Sequence, residues 1–139
     1  MIALGIDFGT KRIGLAISDP LGIMASALTT IERKTAEDDI KKICEIVKTR
    51  NVDKIIMGLP LHMNGQEGRE AAIVKAFKTE LEKAVDLPVE LMDERWTTVM
   101  AQKSMLEGDL SRKKRKQKID RVAAQFILQT YLERLRFRT

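Results

Sequence analysis

With 139 residues, 44% of them hydrophobic and 32% charged, the chain is long enough for one folded domain, 1–139, with a real core. No apolar run approaches the roughly 20 residues of a membrane-crossing helix, and Met1–Ile6 lacks the basic start of a signal peptide and is followed by Asp7, so a cytoplasmic protein with no membrane partner is expected. The lone cysteine, Cys44, excludes an internal disulfide, and the net charge of +5 is concentrated in residues 112–118, Arg-Lys-Lys-Arg-Lys-Gln-Lys, on an otherwise nearly neutral chain.

Ile2–Phe8 reads as a strand, followed by a turn at Gly9-Thr10-Lys11-Arg12. Ile13–Ser18 is a second strand, closed by the turn cluster Asp19-Pro20-Leu21-Gly22, and Ala25–Ile31 a third. Their short connections make them antiparallel neighbours, a meander. Thr35-Ala36-Glu37-Asp38 fits a capped helix start, and Ile40, Ile43, Cys44 and Val47 follow at helical spacing. Asp53–Leu59 is a short apolar run, a buried strand closed by Pro60. Asn64-Gly65 is expected to open a second helix, with Ile73, Phe77, Leu81, Ala84 and Val85 on its apolar stripe. Pro88–Asp93 is the fifth strand, Thr97–Glu107 a helix stopped by Gly108, and Lys116–Arg136 a long final helix. Between the last two, Glu107–Lys118 reads as a mobile excursion, because like charges repel and nothing apolar anchors it between Leu110 and Ile119. The order predicts an α/β fold: a five-stranded mixed sheet, made of a three-strand antiparallel meander plus two βα units, flanked by helices.

Ligands of open α/β sheets gather beyond the carboxyl ends of the parallel strands. Asp7, Gly58-Leu59-Pro60 and Asp93-Glu94-Arg95 all fall there. Asp7 stands within an apolar strand, where a charge is costly unless it is paired or binds metal; an Asx turn is the plainer explanation. Asp120 lies on the final helix among the directions of Ala123, Ala124, Ile127 and Tyr131, which must pack on the sheet. Its plainer explanation is an acid favoured by a helix N-terminus, which does not account for that inward direction. Converging carboxylates suit hard divalent ions that also take substrate phosphate oxygens, and the basic run can neutralise backbone phosphates without reading sequence. Alternation sends Asp93 and Glu94 to opposite faces of the sheet, and spacing alone does not choose between them.

These residues carry a resemblance. Gly5-Ile6-Asp7-Phe8-Gly9-Thr10-Lys11-Arg12-Ile13-Gly14, Gly58-Leu59-Pro60 with Asn64-Gly65, Asp93-Glu94-Arg95 with Thr97-Thr98, and Lys116–Asp120 leading into residues 123–129 resemble the YqgF family nearly end to end. Its members are RNase H-like proteins, described as Holliday-junction resolvase-like and as nucleases that mature the 5′ end of pre-16S rRNA. The resemblance implies an RNase H-like fold and one or two Mg²⁺ or Mn²⁺ ions. It implies catalytic, metal-binding acids at Asp7, Glu94 and Asp120, choosing Glu94 over Asp93. Nucleic-acid contacts are expected from Thr10, Lys11, Arg12, Asn64 and Arg95, and from Arg112, Lys113, Lys114, Arg115, Lys116 and Lys118 of the basic run. The expected partner is structured RNA, with branched DNA as the alternative, and the expected state a monomer or weak homodimer. Trp96 departs mildly from the family pattern, and the only histidine, His62, is expected to be a solvated loop residue. Two rival classes remain at this point. One is a phosphate-binding ATPase, suggested by Asp7-Phe8-Gly9-Thr10 but lacking the length for a duplicated half; the other is a nucleic-acid or ribosome-assembly binder that keeps the acids without catalysis. Because Asp120 stands two residues past the basic run, the first turn of its helix is expected to order, and metal affinity to rise, when nucleic acid binds.

Overall fold

The computed structural model describes residues 1–95 and 112–137, with side chains described for all of these except 112–120. The expected helix Thr97–Glu107 and Trp96 lie outside the described residues. Five strands, β1 (Ala3–Phe8), β2 (Arg12–Ser18), β3 (Ala25–Glu32), β4 (Lys54–Leu59) and β5 (Val89–Asp93), form one sheet in the order β3-β2-β1-β4-β5. β1, β2 and β3 are antiparallel neighbours, while β4 is parallel to β1 and β5 to β4, as the element order predicted. Among the described residues the helices are α1 (Ala36–Thr49), α2 (Arg69–Val85) and α3 (Arg112–Arg136).

Strand alternation divides the core into two layers. Leu4, Ile6, Leu15 and Met57 join Ile43 of α1 and Phe77 and Leu81 of α2 on one face. On the other, Ala3, Ala16 and Ile56 meet Ala124, Ile127 and Leu128 of α3. Small residues on this second face let α3 lie close: a Cβ on Gly5 would stand 2.8 Å from Leu128 Cβ and 3.0 Å from the Ala124 carbonyl oxygen. Met1 shares a surface cavity with Leu132 and Leu135, whereas Gly5 meets Ala124 and Leu128. α3 therefore runs against β1, and its N-terminal part approaches the carboxyl edge of the parallel strands. Two glutamines fix it to the start of β3: Gln129 Oε1 accepts from Ala25 N–H at 2.8 Å, and Gln125 Nε2 donates to the Ala25 carbonyl at 3.0 Å.

Three local expectations are corrected. α2 starts at Arg69, not at Asn64-Gly65, because those two residues form a turn. Asn64 Oδ1 accepts from Gln66 N–H at 3.0 Å, Gly65 N–H donates back to His62 O at 2.8 Å, and Leu61 bridges Glu67. Ile73 and Ala84 are not on the buried stripe: both are exposed, Ile73 by 45%, and Ala71, Val74, Phe77 and Leu81 form the buried face. α3 begins at Arg112, so residues 112–118 have helical backbone and are not the expected excursion. Lys, Arg and Gln are good helix formers and the run contains no Gly or Pro, so propensity outweighs like-charge pairs costing roughly 0.2–0.5 kcal/mol each.

Candidate active site

β1 and β5 flank β4, and the carboxyl ends of the three strands share one edge. Asp7 is the penultimate residue of β1, and on the pleat it faces the same way as Ala3 and Gly5, towards α3. Glu94 directly follows β5, where its N–H donates to Leu59 O at 3.2 Å and extends the β4–β5 ladder by one bond. Between them lies Gly58 of β4. A Cβ there would fall 2.1 Å from Glu94 Oε2 and 2.6 Å from Ile127 Cδ1, so glycine is what gives the Glu94 carboxyl its seat. Asp7 and Glu94 hydrogen bond through their side chains, and the Glu94 carboxyl is pushed up to about 8. Burial is the main cause, followed by the negative charge of Asp7 and the hydrogen bond to it. At neutral pH the pair therefore retains a proton between its two members for much of the time.

Asp93 and Glu94, which the sequence left as alternatives, have different partners. Asp93 receives Arg95 N–H at 3.0 Å and Arg95 Nε at 2.8 Å, and the guanidinium holds its carboxyl below the usual aspartate range. Arg95 also donates from Nη1 to Met63 O at 3.1 Å, clasping the 61–67 turn to the end of β5. Among the other expected nucleic-acid contacts, Arg12 pairs with Glu32 at 3.0 Å, and Thr10, Lys11 and Asn64 are exposed. His62 is exposed in its turn, as expected. The side chains of Asp120, Arg112, Lys113, Lys114, Arg115, Lys116 and Lys118 lie outside what is described. Among the described residues no three His, Cys, Asp or Glu side chains converge as a metal-binding group.

Arg33 escaped sequence reasoning, and so did the seat that Gly58 gives Glu94, although Gly58-Leu59-Pro60 was expected at this edge. Gly58 left one signal, a glycine inside an otherwise apolar strand. Arg33 left none, being one of 25 Lys and Arg. Its guanidinium lies over the Phe8 ring, 4.3 Å from the centroid, and Nη1 donates to the carbonyls of Gly9 and Thr10, each at 3.0 Å. Phe8 is itself braced by Phe77, with centroids 4.4 Å apart. Arg33 and Phe8 line a cavity of about 260 Å³ that Asp7 and Glu94 also line.

A family model described as RuvX, Holliday junction resolvase, matches residues 1–134. The chain belongs to the RuvX family. This is the family that the motif resemblance named YqgF, and by membership the chain is a nuclease, a hydrolase of phosphodiester bonds. A protein of Clostridium acetobutylicum named "Putative pre-16S rRNA nuclease" is 50% identical over 132 residues, covering 95% of this chain and 98% of that protein. A protein of Moorella thermoacetica with the same name is 50% identical over 135 residues, covering 97% and 96%. Among solved structures, RuvC of T. thermophilus in complex with Holliday junction substrate matches with a TM-score of 0.62 at 11% identity, covering 99% of this chain and 97% of that one. At that identity the likeness speaks for the fold, which is RNase H-like as the resemblance implied. Membership of a nuclease family sets the ATPase alternative aside.

Proposed function

We propose that this chain is a divalent-metal-dependent nuclease that cuts structured RNA in the 5′-end maturation of pre-16S rRNA, with Asp7, Glu94 and Asp120 as its catalytic carboxylates. The observation that carries the reading is the meeting of Asp7 and Glu94 above Gly58 at the carboxyl edge of the sheet. Two carboxyls forced together, one of them held well above its ordinary range, are a donor set that a hard divalent cation suits, because the cation offsets their repulsion. Asp120 is a reasonable third ligand from its place on the backbone. It stands one helical turn (about 5.4 Å) before Ala124, which packs on Gly5, and Asp7 lies about 6.6 Å beyond Gly5 along β1. When bound, Mg²⁺ or Mn²⁺ supplies the activation of water and the stabilisation of the leaving oxygen.

The protein groups do the rest. Glu94 must release the proton it shares before it can act as a ligand, so metal affinity rises with pH through about 8. Lys11 and Thr10 are exposed at the β1–β2 turn beside the acids and are available to backbone phosphate. The run 112–118 supplies sequence-independent phosphate affinity at the start of α3. Arg95 serves mainly to position: with both Asp93 and Met63 O engaged, it holds the 61–67 turn beside Glu94.

A second reading, cleavage of four-way DNA junctions, is favoured by the family description and by the fold likeness to RuvC. Incubating the protein with rRNA precursor and with junction DNA, each with Mg²⁺, Mn²⁺ or EDTA, separates the two. Metal-dependent cleavage of the precursor near the mature 5′ end is expected. Cleavage of the junction alone would transfer the proposal to DNA, and cleavage of neither would end it.

A further inference from the structure

Beside the acids, the cavity of about 260 Å³ has a chemistry that phosphodiester hydrolysis does not require. Part of its wall is apolar, formed by Pro60, Val74 and Ile73, and Ile73 stays 45% exposed on the first turns of α2. An exposed isoleucine lining a concave surface is burial on offer, since covering apolar area contributes about 25 cal/mol per Å². Arg33 lines the same cavity, its guanidinium carbon 4.3 Å from the Phe8 ring centroid and its Nη1 donating to the Gly9 and Thr10 carbonyls. It makes no ion pair among the described residues. A guanidinium fixed in this way presents a plane on which a base can stack. Glu70, exposed and also lining the cavity, is able to repel a second phosphate and to accept from an exocyclic amino group. Pockets for drug-sized ligands run to about 300–1,000 Å³, so this one suits a single ring system and not a folded strand.

We infer that this cavity is a nucleobase subsite: one base next to the scissile phosphate leaves the stack and lies between Arg33 and Ile73. The inference rests on the nuclease reading of Asp7 and Glu94, which line the same cavity and place the phosphate within one nucleotide of the base. The subsite would restrict cleavage to strands that are unpaired at that position, because a base held in a duplex cannot enter without losing its pairing and stacking.

The test moves a single abasic residue stepwise along the cleaved strand. Affinity is measured in EDTA and kcat/KM with Mg²⁺, for the wild-type protein and for Ile73→Trp, which fills the cavity from an exposed position. One abasic position next to the cleavage site should weaken both quantities about tenfold or more, the size of a lost base–side-chain stack. Ile73→Trp should bind the intact strand as weakly as wild type binds that abasic strand, with no further loss on combining the two. Arg33→Met, which removes the stacking plane, should behave alike and guards against misfolding of the tryptophan variant. Equal affinity for intact and abasic strands at every position would overturn the subsite while leaving the nuclease intact. An undiminished abasic penalty in both variants would place the base elsewhere and also overturn it. The expected affinity pattern in EDTA without cleavage under any metal would uphold the base pocket and reject the nuclease reading.

Discussion

A methyl group at position 58 would overlap the Glu94 carboxyl and crowd Ile127, so Gly58→Ala must displace the acid, the helix or both. Overpacking of this kind costs about 1–3 kcal/mol. The expected outcome is a stability loss of that order in urea titration, together with loss of cleavage, although no catalytic group has been removed. The shared proton gives a second prediction. Glu94 is raised from 4.5 to about 8, so between those values the folded protein binds more protons than the unfolded chain, and metal-free stability falls as pH rises from about 5 to 8. Asp7→Asn removes the neighbouring charge and should flatten that fall. The difference in urea midpoint between variant and wild type should therefore move in favour of the variant as pH rises, at about 1.4 kcal/mol per pKa unit that Asp7 contributes. A pH-independent difference would mean the carboxyls do not interact. Asp7 was legible in the sequence as a charge inside an apolar strand. Glu94 was not separable from Asp93 by spacing, because both stand at a strand end and only the partners, Asp7 for one and Arg95 for the other, distinguish them. Arg33 had no signal at all, since its role comes from a ring and two carbonyls more than twenty residues earlier in the chain.

The elements that carry the site divide between those written in local pattern and those set by distant contacts. The meander, α1 and the two parallel strands follow from alternation, turn residues and the Thr35 cap, whose side chain accepts from Asp38 N–H at 3.1 Å. The start of α2 did not follow, because Asn64-Gly65 satisfies turn and helix-start chemistry alike and the Leu61–Glu67 bridge decides between them. At α3, the amides of Gln125 and Gln129 reach the edge of β3 about 100 residues away, a connection invisible to periodicity. Gln129→Ala leaves the Ala25 N–H without its acceptor and should cost about 1–3 kcal/mol, read as a lowered urea midpoint. The basic first turns of the same helix should act differently. Replacing Lys113, Lys114, Arg115 and Lys116 with alanine should leave stability nearly unchanged and weaken nucleic-acid binding for all sequences alike. The slope of log K against log salt should fall by roughly 0.7–0.9 for each phosphate contact removed. An unchanged slope would show that the run does not touch the substrate.

Across the whole molecule, one face of the sheet is closed by α1 and α2 and the other by α3, and the two layers meet the carboxyl edge at Asp7, Gly58 and Glu94. The opposite end of the sheet is tied separately: Lys54 pairs with Glu90 at 2.8 Å and hydrogen bonds to the Tyr131 hydroxyl of α3. Stability and chemistry are thus largely concentrated at different ends, and substitutions of the acids should spare the fold. A single-turnover cleavage assay of wild type, Asp7→Asn and Glu94→Gln on the substrate that wild type cuts, in Mg²⁺ and Mn²⁺, uses this separation, with far-ultraviolet circular dichroism to check folding. If the two carboxyls above Gly58 are the catalytic pair, both variants keep the wild-type spectrum and lose cleavage at least about a hundredfold, a barrier increase of roughly 2.7 kcal/mol. Cleavage at the wild-type rate by either folded variant would contradict that assignment.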